Sequence, residues 1–183
     1  TSSTNYPKQG SDSYTPNRAA AGALEASTSH FAALPNANEM AWYVMKGDPR
    51  YDADELWSTM GYLYKGGTWF KKRAYITGFS DSHQPDDAST DLRNTYKRLS
   101  KAVLKTLPAT TEMDQYFYLP LLGYYSTTSN NYKFNAAGVT GYYWSSSAVP
   151  TNQTGSYALQ INNQTATLQE LAPSSGMIVR PFE

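Results

Sequence analysis

The sequence predicts an α+β chain, with short helices packed on a small mixed or antiparallel sheet and long loops between them. Three observations carry that expectation. Between Pro35 and Leu107, apolar residues recur at helical spacing close to capping and stop signals. From Tyr116 onward the pattern changes to short period-two alternations separated by runs of Asn, Gln, Thr, Ser and Gly. Beyond Gln115, the only charges before Glu183 are Lys133, Glu170 and Arg180. Such an uncharged stretch reads as a sheet with one face buried and one face of neutral polar groups.

The elements follow in order. Residues 1–20 are polar and interrupted by Pro7, Gly10 and Pro16, which predicts a flexible N-terminal arm or linker. Residues 21–183 are expected to form a single domain. Pro35 to Gly47 predicts a helix, with Asn36 or Asn38 as cap, Glu39 in the first turn and Gly47 as the stop. A second short helix is predicted from Asp52 or Asp54 to Gly61, its acids suiting a helix start. Tyr62 to Lys72 predicts a hairpin turning at Lys65-Gly66-Gly67. Phe79 to Thr90 is a loop carrying His83 among Asp81, Asp86 and Asp87. Leu92, Tyr96, Leu99, Val103 and Leu107 then predict an amphipathic helix over 91–107, with Arg93, Lys97, Arg98, Lys101 and Lys105 on its solvated side. Strands are predicted at Tyr116–Pro120, Tyr142–Ser147, Ser156–Asn162, Thr165–Leu171 and Met177–Phe182. Tyr142, Trp144, Tyr157, Leu159, Ile161, Leu168, Val179 and Phe182 are assigned to the scaffold.

Composition narrows the function. The 183 residues carry a net charge of zero, so nothing electrostatic favours nucleic acid or an anionic membrane. The absence of cysteine excludes disulfides, thiol catalysis and cysteine zinc sites. No apolar run reaches the roughly 18 residues that a membrane helix needs, so no direct membrane insertion is expected. The chain starts at Thr1-Ser2-Ser3, which suggests a processed form or a piece of something longer. Capping explains the acids at 48–55 better than a metal, because the loop lacks the alternating ligands and central glycine of a calcium site. No metal, no cofactor and no enzymatic activity are expected. The one catalytic alternative, a hydrolase using His83 with Asp86 or Asp87, lacks a second converging histidine other than His30 and a nucleophile elbow.

Sixteen tyrosines and four tryptophans, set among Ser, Asn and Gln, supply rigid aromatic area and adaptable hydrogen bonding, as in antibody loops. The residues expected to contact a ligand are Tyr143, Ser145, Val149, Thr151, Asn152, Gln153, Thr154, Ala158, Gln160, Asn162, Gln164, Thr167, Gln169, Pro173, Ser174 and Met177, all within the 141–182 segment. Asn152-Gln153-Thr154 and Asn163-Gln164-Thr165 are sequons by pattern, coincident with an Asn/Thr-rich surface.

The order PNANEMAWYVMKGDPRYD, LYKGGTWFKK, YFYLPLLGYYS, GYYWSSS…YALQIN…G-x-x-VRPF resembles a bacterial surface domain with a C-type-lectin-like fold over roughly Leu34 to Glu183. It is similar to the major paralogous domains of gut bacteria and to the formylglycine-generating-enzyme-like branch of that fold. The resemblance implies a surface-displayed adhesin or receptor-binding module, extracellular or on a pilus tip or phage particle, within a longer chain or fibre. Its partner would be a protein or glycan on another cell surface. It also implies kinship with variable proteins diversified by retroelements. The alternative is that the tail is an assembly surface, making the chain a structural assembly subunit or the tip of a pilus or phage fibre. The chain departs from those relatives in two ways. Gln84-Pro85-Asp86 matches a sugar-binding tripeptide of calcium-dependent lectins, but no Trp-Asn-Asp segment follows, and the catalytic cysteines of the oxidase branch are missing.

Overall fold

The computed structural model describes residues 33–128, 131–150, 152, 155–172 and 177. Among them are a single α-helix, α1 (Ala37–Lys46), and nine strands: β1 (Arg50–Thr59), β2 (Tyr62–Lys71), β3 (Leu99–Ala102), β4 (Tyr116–Pro120), β5 (Tyr124–Thr128), β6 (Asn131–Asn135), β7 (Thr140–Ala148), β8 (Ser156–Asn162) and β9 (Thr165–Leu171). They form a three-stranded sheet ordered β1-β2-β4, a four-stranded sheet ordered β3-β9-β8-β7 and a β5-β6 hairpin, with every strand pair antiparallel. The class is therefore mainly β, which corrects the α+β expectation.

α1 forms where capping predicts it. Asn36 accepts the Glu39 N–H at 3.0 Å, Glu39 returns by accepting the Asn36 N–H at 2.8 Å, and Gly47 ends the helix. Its buried residues Met40, Ala41, Tyr43 and Val44 pack with Phe70 and Leu119 of the first sheet and with Tyr143, Tyr157, Leu159, Ile161 and Leu168 of the second. The core thus lies between the two sheets and the helix. Asn38, fully buried, ties the following irregular loop to the helix: it donates to Asp81 O and Asp91 Oδ1 and accepts the Leu92 N–H.

The predicted helix at Asp52–Gly61 is strand β1, and the turn that closes its hairpin is Met60-Gly61, not Lys65-Gly66-Gly67. Both turn residues have positive φ (52° and 80°), the geometry of a tight two-residue hairpin. Long-range pairing overrides helical propensity here. Trp57 stacks on Tyr64 at 4.9 Å and donates its indole N–H to Gly66 O at 2.9 Å. The glycine pair lies inside β2: Gly66 holds φ at 96°, and the Tyr118 ring covers Gly67, where a Cβ would meet it at 2.3 Å.

The predicted helix over 91–107 is also absent. An irregular stretch leads into β3, which pairs with β9 from Leu99↔Leu168 to Ala102↔Thr165. The helical spacing was misleading because its members do not share an environment. Leu92, Leu99 and Val103 are buried, whereas Leu107 is exposed. β4, β7, β8 and β9 lie where period-two alternation places them. The N-terminal arm, Arg180 and the Met177–Phe182 strand, apart from Met177, lie outside the described residues.

Candidate binding face

The register of β7, β8 and β9 sorts the tail into two faces. Tyr157, Leu159 and Ile161 of β8 point into the main core, with Tyr143 opposite Leu159 and Leu168 opposite the same residue on the other side. Ser156, Ala158, Gln160 and Asn162 take the outer face, where Tyr142, Thr167 and Gln169 join them by register. At one end of this face, Trp144, Ala158 and Leu34 form a second small buried cluster with Leu171 and Met177 against it.

The middle of the outer face carries a connected row of side chains. Arg98 Nε donates to Gln169 Oε1 at 3.3 Å, Gln169 Nε2 to Gln160 Oε1 at 2.5 Å, and Gln160 Nε2 to Tyr142 Oη at 3.1 Å. The direction of the row is fixed by its first member. A guanidinium only donates, so Gln169 must turn its oxygen to Arg98 and its nitrogen to Gln160, which must then turn its own nitrogen to Tyr142. Beside the row, the Ser100 and Thr167 hydroxyls bond at 2.8 Å. Tyr142 stands edge-on to Tyr124 at 5.1 Å, and burial together with the neighbouring Tyr124 raises its pKa, keeping the phenol protonated as a donor. Gln160, Gln169 and Tyr142 are half-buried and Arg98 is exposed, so the row is both held in place and reachable.

Several residues expected to contact a ligand are buried or engaged within the fold. Tyr143, Val149, Ala158, Ser145 and Thr167 are at most 2% exposed, so their role is packing or internal hydrogen bonding. Tyr143 Oη, for example, donates to Pro120 O at 2.5 Å. Asn162 accepts the Gln164 and Thr165 N–H groups at 2.8 Å, which fixes the β8–β9 turn. Asn152 donates to Glu170 and so ties the β7–β8 loop to β9. Gln164 is exposed, beside a shallow groove of about 370 Å³ that Tyr51, Val139, Thr140, Asn162 and Asn163 also line. Met177 packs on the Trp144 cluster. Thr151, Gln153, Thr154, Pro173 and Ser174 fall outside the described residues.

Arg98 and Tyr142 belong to this row but not to the residues expected to contact a ligand. The helical spacing that misassigns 91–107 hides Arg98, and the aromatic character of Tyr142 reads as scaffold. The alternation that puts Trp144 and Tyr142 on one face of β7, opposite Ala158 and Gln160, was the available signal for the tyrosine.

The side chains of the catalytic alternative have the following partners. Asp86 pairs with Lys46 at 3.0 Å, and Asp87 accepts the Ser89 and Thr90 hydroxyls at 2.6 Å each, which hold its carboxyl at about 2. The His83 ring meets Gln84 O and the edge of Trp42. Among the described residues no three His, Asp or Glu side chains converge as a metal site, and no helix is long and apolar enough to cross a membrane.

Residues 107–182 match a family model described as a domain of unknown function, DUF8237. Neither a curated protein nor a solved structure matches the chain. The matched segment contains Tyr142, Gln160 and Gln169 but stops short of Arg98.

Proposed function

We propose that the chain is a ligand-binding module displayed at a cell or particle surface, and that the outer face of β7, β8 and β9 is where it binds. The observation that carries this reading is the row from Arg98 to Tyr142. It is a set of pre-oriented amide and hydroxyl groups on a sheet face, half-buried apart from the exposed Arg98 and braced by the Tyr124–Tyr142 pair. Preorganised polar groups of this kind lose little entropy on binding, which is what a recognition surface needs. The resemblance to bacterial surface domains supports the adhesin or receptor-binding form of the reading. The narrower form is a retroelement-diversified variable protein, whose signature would be a neighbouring near-identical repeat differing only at adenines.

The test is to probe arrays of glycans and extracellular proteins with the domain, and to compare the Gln160→Ala/Gln169→Ala variant on every hit. The reading expects binding to be lost while the fold is kept, and hits that survive the double substitution contradict it. A second reading, an assembly subunit, draws on the exposed apolar side chains Leu56, Met60, Tyr62 and Leu63 at the end of the β1–β2 hairpin. It predicts self-association in sedimentation that a Leu63→Glu substitution abolishes.

A further inference from the structure

The tip of the β1–β2 hairpin breaks the turn chemistry around it. A two-residue turn with positive φ at both positions favours asparagine, aspartate or glycine at the first, yet Met60 stands there with φ at 52°. A side chain without a local hydrogen bond to offer is held in that conformation at a cost, and such departures concentrate where a residue serves more than folding. The turn leaves Met60 62% exposed.

What the thioether meets there is a phenol. Tyr125 of β5 donates its O–H to Met60 Sδ at 2.8 Å. The bond joins two sheets that share no strand pairing, the β1-β2-β4 sheet and the β5-β6 hairpin. Successive residues of a strand point to opposite faces, and β5 is held from both. Tyr124 stands edge-on to Tyr142 at 5.1 Å on one side, and Tyr125 reaches Met60 on the other. A thioether is a weak acceptor, so the bond to Met60 holds β5 only lightly.

Sulfur chemistry supplies a way to tighten it. The chain has no cysteine, so its thioethers are the only sulfur groups that an oxidant meets. Their access differs widely. Met40 is fully buried, Met45 and Met177 pack against apolar clusters, and Met113 is half-buried, whereas Met60 is exposed. With a hydroperoxide, a sulfur lone pair forms the S–O bond to the distal oxygen, the O–O bond breaks, and the peroxide proton passes to the departing oxygen. Sulfur loses two electrons and the peroxide gains them, giving a sulfoxide and an alcohol or water. The sulfoxide is polar and its oxygen accepts hydrogen bonds. Tyr125 already directs a donor at that sulfur and, being exposed itself, has room to follow the shifted acceptor.

We infer that Met60 is a peroxide-reactive modification site, and that its sulfoxide binds the Tyr125 hydroxyl more strongly than the thioether does, latching the β1–β2 hairpin tip onto β5. Because the chain carries no thiol, reversal falls to a separate thiol-dependent sulfoxide reductase.

Timed treatment of the whole chain with hydrogen peroxide tests it, with peptide mapping by mass spectrometry and hydrogen–deuterium exchange before and after oxidation. Met60 should be oxidised at least fivefold faster than Met45, Met113 or Met177, and exchange of the β5 amides should slow at least threefold in the oxidised chain. Methionine sulfoxide reductase should restore the original exchange. Two substitutions at exposed positions separate the site from the latch. Met60→Leu should abolish both the oxidation and the slowing, whereas Tyr125→Phe, which keeps the ring against Phe134, should leave Met60 oxidised and β5 exchange unslowed. Another methionine reacting as fast as Met60 overturns the modification site. Exchange in β5 that is unchanged or faster after oxidation, or slowing that survives Tyr125→Phe, overturns the latch.

Discussion

Asp52 offers a quantitative test of how the first sheet is built. β1 and β2 pair in register from Arg50↔Trp69 to Asp52↔Gly67 and resume only at Leu56↔Lys65, so extra residues bulge out of β1. The bulged amides lose their cross-strand partners, and Asp52 replaces them. Its Oδ1 accepts the Asp54 and Glu55 N–H groups at 3.0 Å each, while Oδ2 accepts the Trp69 indole N–H at 3.1 Å. Burial pushes this carboxyl up, but the hydrogen bonds from Trp69, Asp54 and Glu55 outweigh it and hold the pKa below its ordinary value. In Asp52→Ala, water can reach the two exposed backbone amides, while the half-buried indole loses its acceptor. Bonds to a charged acceptor contribute about 1.5–3 kcal/mol each and solvated ones little, so a cost of about 2–3 kcal/mol is expected. In a chain of this length that lowers the melting temperature by roughly 4–12 °C. The sign with pH follows from the lowered pKa. The contribution is fully present above the unfolded carboxyl value, near 3.8, and is lost as pH falls through the lower folded value. Thermal unfolding followed by circular dichroism, from pH 7 down to pH 2, should show the wild-type and Asp52→Ala curves converging at the acid end. Equal melting temperatures at pH 7, or a gap that widens below pH 3.8, would refute the reasoning.

Other positions give sharper structural checks. Asn38→Ala leaves the buried Leu92 N–H without its acceptor and frees the 81–92 loop, so chemical denaturation should show a loss of about 2–4 kcal/mol, with faster amide exchange in that loop. Met60 holds φ at 52° in the hairpin turn beside Gly61, a position where asparagine is at ease. Met60→Asn should therefore leave the fold intact and stabilise it by about 0.5–1 kcal/mol, read as a higher denaturant midpoint with an unchanged slope.

How much of this was legible in the sequence differs between the two halves of the chain. In β8, Tyr157, Leu159 and Ile161 alternate with Ala158, Gln160 and Asn162, and burial against the core enforces that period, so both the strand and its outer face can be read directly. Of the candidate face, the sequence pattern reaches Gln160 and Gln169, which stand beside buried neighbours. It does not reach their companions. Thr167 looks identical in sequence terms, yet it is buried beside Ser100 because β3 covers that edge. In the N-terminal half the misreadings share one cause. Leu92, Tyr96, Leu99 and Val103 carry helical spacing by accident, and what places Leu99 in a strand is Leu168, a partner far along the chain. Gly66-Gly67 resembles a turn because nothing local shows the Tyr118 ring that demands glycine there. Losing β3 as a strand also hid Arg98, whose meaning comes only from standing beside Gln169.

The central claim is that ligand is held by the row and not by another surface, and the side-chain amides of Gln160 and Gln169 report on it directly. In a nitrogen-15 spectrum of the labelled chain, titration with a ligand identified on the arrays should shift both side-chain NH2 pairs, and the Arg98→Gln substitution alone should move them as the row loses its fixed direction. Shifts confined to the β1–β2 hairpin around Leu56 to Leu63, with both glutamine amides unmoved at saturation, would contradict the account.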